Sequence, residues 1–161
     1  MSQFEWHGYA YHDIDLSGKY DGDAKTIVLS ADSDDSNALF DLSVDADLNE
    51  DLKDIVLACN VDCVNLSELK LVEGGYSAGG KITSELSGKN LDDADGFLSF
   101  ENMQFKDSTD QELIIEKFDV KAHRSDVSHE IAVNSDFLNG SIDGNISTKS
   151  LVATLQTLRS I

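Results

Sequence analysis

Residues able to do chemistry are few in this chain and poorly placed for it. The histidines are His7, His12, His123 and His129. None stands in a His-Glu-x-x-His pair, and there is no Gly-x-Ser-x-Gly elbow or glycine loop built for phosphate. His123 and His129 fall on neighbouring predicted strands, where a histidine serves as surface or packing. Asp45-Ala-Asp47-Leu-Asn49 opens like a calcium loop. It lacks the glycine at the sixth position and the glutamate at the twelfth, where Glu50 and Val56 stand. The acidic runs Asp32–Asp35 and Asp92–Gly96 read as polar turns. Cys59 and Cys63 would lie about 13 Å apart on a strand, beyond disulfide reach. Two cysteines without a nearby histidine do not complete a zinc site. Both read as small, inward-facing apolar residues. We therefore expect no catalytic residues, no metal and no cofactor.

Charge narrows the field further. Lys+Arg number 12 against 31 Asp+Glu, a net charge of −19. Such a surface repels nucleic acid and anionic headgroups. Disorder is not expected, because 40% of residues are hydrophobic and they alternate in order. The chain has no proline, which fits repeated strands joined by glycine and Asn/Asp turns. No stretch approaches the roughly 18 apolar residues that span a bilayer as a helix.

The dominant period is two. Ile14 to Tyr20, Lys25 to Ala31, Phe40 to Leu48 and Ile55 to Cys63 alternate apolar with polar. Further strands are expected over Tyr76 to Gly88, Gly96 to Phe105, Ile114 to Ala122, and around Ile131, Val133, Leu138 and Ile142. The alternation changes parity between Phe100 and Met103, which places a bulge near Glu101-Asn102. Turn residues stand between these runs, at Asp21-Gly22-Asp23, Asp32 to Asn37, Gly74-Gly75, Asp107 to Asp110 and Asn139-Gly140. A short capped helix is expected near 66–71 after Asn65, and a C-terminal helix carries Leu151, Leu155 and Leu158. Ile14-Asp-Leu-Ser-Gly-Lys19 and Ser84-Glu-Leu-Ser-Gly-Lys89 echo each other, as in stacked repeats. The fold class is mainly β, a curved antiparallel meander. Residues 1–161 make one β-rich domain, with 1–12 read as linker or an expression-derived start.

Long one-faced strands leave an apolar side that about twenty helical residues cannot cover. The sheet must curl, pack on a second sheet as a sandwich, or bind something apolar. The wall of that side is drawn from Phe40, Leu42, Val44, Ile55, Leu57, Val61, Leu98, Phe100, Ile131 and Val133.

The run from Leu86-Ser-Gly-Lys-Asn-Leu to Gly96-Phe-Leu-Ser-Phe-Glu-Asn102 resembles a segment of TamB/AsmA-like translocation and assembly proteins in their Bacteroidetes-type form. So do Val133-Asn-Ser-Asp-Phe-Leu-Asn-Gly-Ser-Ile-Asp-Gly-Asn145 and Asp47-Leu-Asn49 with Val61 to Leu69. The similarity covers roughly residues 13–155. It implies a fragment of a large protein anchored in the inner membrane of a Gram-negative envelope and spanning the periplasm. It also implies a sheet bent into a trough, with the residues above on its inner wall. The expected function is structural, in outer-membrane biogenesis: protein translocation and assembly, phospholipid transport, or both. The implied partners are lipid acyl chains and an outer-membrane assembly protein of the TamA type or an equivalent. The alternative is a secreted β-sandwich module that binds carbohydrate or protein.

Overall fold

A computed structural model of the chain describes residues 4–49, 54–88, 93–125 and 128–144. Two short strands, β1 (Phe4–Trp6) and β2 (Tyr9–Tyr11), form a hairpin of their own. The nine strands that follow form one antiparallel sheet in strict chain order. They are β3 (Ile14–Asp21), β4 (Thr26–Asp35), β5 (Ala38–Asp47), β6 (Asp54–Asn65), β7 (Ser77–Ser87), β8 (Asp95–Lys106), β9 (Glu112–Arg124), β10 (His129–Ser135) and β11 (Asn139–Gly144). This is the meander that alternation plus short polar turns dictates.

The turns are closed by their own acidic side chains. Asp21 Oδ1 accepts the N–H groups of Asp23 and Ala24, each at 3.0 Å. Asp107 Oδ1 accepts from the N–H groups of Thr109 and Gln111 at 2.8 and 3.0 Å and from the Thr109 hydroxyl at 2.7 Å. Part of the acidic excess therefore serves backbone donors that tight turns leave open.

Several sequence expectations shift. No helix forms at 66–71. Asn65 does cap that segment, its Oδ1 accepting from Glu68 N–H at 3.2 Å and its carbonyl from Leu69 N–H at 3.0 Å. Lys70 then turns left-handed (φ 58°), and the helical path ends after one turn. Strand β4 runs through Asp35, so Asp32–Asp35 are ladder residues rather than a turn. Asn139-Gly140 opens β11, because Ser135 Oγ takes the Leu138 N–H at 2.8 Å and completes the reversal earlier. The C-terminal helix and its leucines lie outside the described residues.

Bulges divide the sheet into a long part and a short end. Asp62 of β6 has no partner in β5 or β7. On β8 the extra residue falls at Asn102–Met103, where the parity break placed it, and Asn102 is left-handed (φ 51°). Between them run Gly79 and Gly80. A Cβ on Gly79 would meet the Asp62 carbonyl at 3.0 Å, and one on Gly80 would meet Met103 Sδ at 2.5 Å. Only glycine lets β7 thread two bulges. Beyond β8, Asp136 Oδ2 accepts from both Glu116 and Lys117 N–H, at 2.7 and 3.1 Å. Two adjacent donors pointing the same way continue the irregular line into β9.

The molecule is thin. Among the described residues only Tyr11, Ala38, Ala46 and Leu69 are buried apolar residues, and no large side chain is fully enclosed. Among the described residues no second large sheet covers the first, so the sandwich form of the expected fold is not what these strands build.

Facing is testable by substitution. Val44 is half-buried on the apolar side and Asp45 exposed on the other. Val44→Asp should cost about 1–3 kcal/mol and Asp45→Asn should stay within about 0.5 kcal/mol. Urea midpoints of the two variants check this, and equal midpoints would refute the facing.

Candidate functional site: one apolar sheet face

Residues directly opposite each other in an antiparallel ladder share a face. The registers can therefore be followed across the whole sheet. One row runs Leu16, Ala31, Leu42, Cys59, Ile82, Phe100, Phe118. Its neighbour runs Gly18, Leu29, Val44, Leu57, Ser84, Leu98, Val120, Val133, Gly140, and the next Tyr20, Ile27, Ala46, Ile55, Leu86, Gly96, Ala122, Ile131, Ile142. All ten residues singled out from the sequence fall on this face: Phe40 and Val61 are opposite one another in the row beyond Leu42. The same face also carries Ile27, Leu29, Ile82, Phe118 and Val120, which the same alternation marks. Most of these side chains are half-exposed; Leu16, Tyr20 and Ile142 are 69%, 65% and 54% accessible.

The reverse face is polar. Its central row runs Ser17, Ser30, Ser43, Ala58, Thr83, Ser99, Asp119, Asn134, Asn139. The Ser17 and Ser30 hydroxyls share a 2.6 Å hydrogen bond, and Ser99 Oγ donates to Asp119 Oδ1 at 2.6 Å. That donor, against a smaller opposing effect of burial, with help from Lys117 at 3.1 Å, holds the Asp119 carboxyl below its ordinary range. Asp15, Asp32 and Asp41 are direct neighbours on adjacent strands.

One margin of the apolar face is covered. The β1–β2 hairpin and the 66–76 turn bring Tyr11 and Leu69 onto Ala38, with Tyr9, Ile14, Phe40 and Val64 around them. Residues 4–11, read from the sequence as linker, thus supply part of the small core. The anchor is Asp35, 3% exposed. Its Oδ1 accepts from Tyr9 Oη at 2.6 Å and Asn37 N–H at 2.9 Å, and its Oδ2 from His12 N–H at 2.9 Å. Burial pushes this carboxyl up, but the three donors outweigh it and leave it below the usual carboxylate range. The hydrogen bond to Asp35, then burial, pushes the Tyr9 hydroxyl up. Lys70 Nζ donates to the Gly8 carbonyl and ties hairpin to turn. Beside this margin lies a cleft of about 430 Å³ lined by Leu66, Val72, Tyr76, Phe105 and Leu113, with Lys106 and Glu112 paired at its rim at 3.6 Å. Sequence reading missed Asp35 because an Asp-Ser-Asp-Asp run looks like any polar turn; its isolation on the apolar parity was the available signal.

The cysteines part company. Both are free; Cys59 is half-buried on the apolar face and Cys63 is exposed. The bulge at Asp62 pairs Cys63 with Leu39, on the opposite side. The expectation that both face inward fails there, because alternation across a bulge carries no facing. Burial, then the charge of Asp41, pushes the Cys59 thiol up. His123 Nδ1 is 3.1 Å from Asp95 Oδ2, and His129 is half-buried on the next strand. Among the described residues no cluster of His, Cys, Asp and Glu is arranged to hold a metal ion, and no helix is long and apolar enough to cross a membrane.

Comparison with protein-family models, curated proteins and solved structures finds no match.

Two outcomes follow from these placements. A thiol reagent should label Cys63 rapidly in the native state and Cys59 slowly, with mass mapping of the labelled peptides as readout; fast labelling of both would contradict the facing. A carboxyl depressed by folding stabilises above its unfolded value of about 3.9 and loses that contribution as pH falls through its folded value. Stability should therefore drop between pH 5 and pH 3. Asp35→Asn should shrink the drop without abolishing it, because Asp119 and Asp107 are also depressed. Urea midpoints at pH 7 and pH 3 measure it, and an unchanged difference would exclude Asp35.

Proposed function

We propose that this chain is a structural segment of a TamB/AsmA-like envelope protein and that its apolar face takes up lipid acyl chains. On this reading the segment lies in the periplasm, within a protein anchored in the inner membrane. Its work is outer-membrane biogenesis, with an outer-membrane assembly protein of the TamA type as a partner. The sequence likenesses at 47–69, 86–102 and 133–145 are the ground for the family reading; the physical support is the face itself.

One observation carries the reading. Apolar rows continue across nine strands with their side chains half-exposed. A monomer seldom leaves so large a patch uncovered unless it binds something. Eight steps of about 4.8 Å make each of the two nine-strand rows about 38 Å long. Half of a hydrocarbon core about 30 Å thick is one acyl chain, so a row has room for two chains end to end. A chain that half-buries twelve methylenes gains about 5 kcal/mol at about 0.8 kcal/mol for each buried CH2. The irregular line through Asp62, Asn102 and Glu116–Lys117 is the natural place for the sheet to bend into a trough, because a bulge bends its strand. The acidic reverse face suits water and not anionic headgroups. A closed sandwich binding module is less well supported, since no second sheet among the described residues encloses the core.

Photocrosslinking residues at Leu42, Leu57 and Val133, introduced in membrane-bearing cells, test the proposal. Phospholipid adducts are expected at these three positions and none at Asp41 or Asp45. Adducts at neither set would end it, and equal adducts on both faces would mean adsorption without a groove.

A further inference from the structure

The two ends of the apolar rows are the sheet edges, β3 and β11, and among the described residues no strand lies outside either. An unpaired edge presents a row of N–H and C=O groups that will pair with another strand unless something blunts it. Strand β3 is little blunted. It pairs with β4 without a break over Ile14–Asp21, has no bulge and no proline, and carries a single lysine, Lys19. It also bears Leu16 and Tyr20, two of the most exposed apolar side chains of the molecule. We propose that two copies of this chain pair antiparallel through their β3 edges, with Ser17 opposite Ser17 of the partner subunit.

The register is what commits the proposal to a second copy. Side chains keep to their faces only if the paired residue numbers share parity, because a slip of one residue exchanges the faces. Three central registers satisfy this. Centring on Gly18 sets Asp15 against Asp21 of the partner subunit, like charges in direct opposition. Centring on Leu16 leaves Asp15 against a serine and Ile14 against a glycine. Centring on Ser17 places Asp15 against Lys19 of the partner subunit, and the two-fold axis makes that pair twice; Asp21 then lies opposite Asp13 of the partner subunit, which stands outside β3 and leaves the extended path with a left-handed backbone (φ 51°). It also sets Ile14 against Tyr20 and Leu16 against Gly18 of the partner subunit, large beside small. The serine row of the polar face then continues across the axis. Opposite charges and aromatic–aliphatic pairs facing across an antiparallel pair are the favourable combinations. The pairing joins two apolar faces on the same side, and it stands whether or not acyl chains are the ligand. Strand β11 offers no comparable self-match in any register, because its one charged residue, Asp143, has no cation on the strand to face.

Sedimentation of the full chain at 0.15 M salt across a concentration series is the first measurement, and a monomer–dimer equilibrium is expected. Asp15→Lys or Lys19→Asp alone turns both attractive pairs repulsive and should weaken the dimer about tenfold or more. Asp15→Lys with Lys19→Asp restores opposite charges and should restore the dimer. A structural effect of either substitution would not be rescued this way. The second measurement uses cysteine crosslinking with Cys59 and Cys63 replaced by serine. Opposed residues have Cα atoms about 4.5–5.5 Å apart, within disulfide range. Ser17→Cys should therefore crosslink to itself much faster than Ser30→Cys, one strand further in. A monomer at every concentration, equal rates at the two positions, or no rescue by the double reversal would overturn the proposal. A ladder of growing oligomers would overturn it too, since that is the sign of head-to-tail pairing of β3 with β11.

Discussion

Register is the constraint on which the rest of this molecule depends. Side chains alternate with a period of two, so each ladder fixes not only which strands meet but which residues share a face. The apolar parity is handed on without error, across six successive pairings from Leu16 to Phe118 in one row and across eight from Tyr20 to Ile142 in another. A slip at any one ladder would put leucines among aspartates for every strand beyond it. The bulges do not break this rule; they obey it locally. The extra residue at Asp62 moves Cys63 out and Val64 in, so Val64 meets Ala38 and Ala78 on the apolar side. The extra residue at Asn102–Met103 likewise sets Phe105 against Ala78. The short end of the sheet thus regains an apolar face suited to Tyr11 and Leu69.

A face of that kind is hazardous in water, and the charge distribution answers the hazard. Asp15, Asp32 and Asp41 stand side by side on the reverse face although like charges directly opposed destabilise a sheet. Folding alone gives no reason for this arrangement. A net charge of −19 supplies one, since mutual repulsion keeps exposed apolar faces of different molecules apart. On the proposed reading, stability is given up on one face so that the other can stay open. The same repulsion is screened beyond about 8 Å at physiological salt, which leaves short-range pairings such as an edge ladder permitted.

The long strands were legible because their signal is intrinsic to each segment. Phe40 to Asp47 alternates whatever surrounds it, and its neighbours have the same period, so sheet, order and facing all follow. The bulge at Asn102 was legible because apolar residues on both sides record the parity change. The bulge at Asp62 was hidden, since Val61 and Cys63 keep an unbroken alternation in the sequence while the backbone between them does not. The 66–71 turn misled because its cap is genuine, and nothing local says that Lys70 will leave the helical path. The anchoring of Tyr9 on Asp35 joins residues 26 positions apart. No periodicity reports on such a contact, which is why the hairpin read as a linker and the buried carboxylate as a turn.

A single-layer sheet of consecutive hairpins has an energetic consequence that bears on ligand binding. Each strand touches chiefly its two neighbours, so stability resembles a sum of strand-to-strand terms, and opening can begin at either edge. The small core around Tyr11, Ala38 and Leu69 holds one margin of β3–β6, whereas the rows from Leu42 to Val133 rely on half-buried contacts. An apolar ligand lying along such a row would touch many strands at once. It would couple ladders that are otherwise linked only to their neighbours. A ligand that binds the folded state alone adds RT ln(1 + [L]/Kd), about 2.7 kcal/mol at a hundred times Kd. In a sheet this thin that is a large share of a total of about 5–15 kcal/mol. The openness that makes the face available is therefore also what makes its filling consequential.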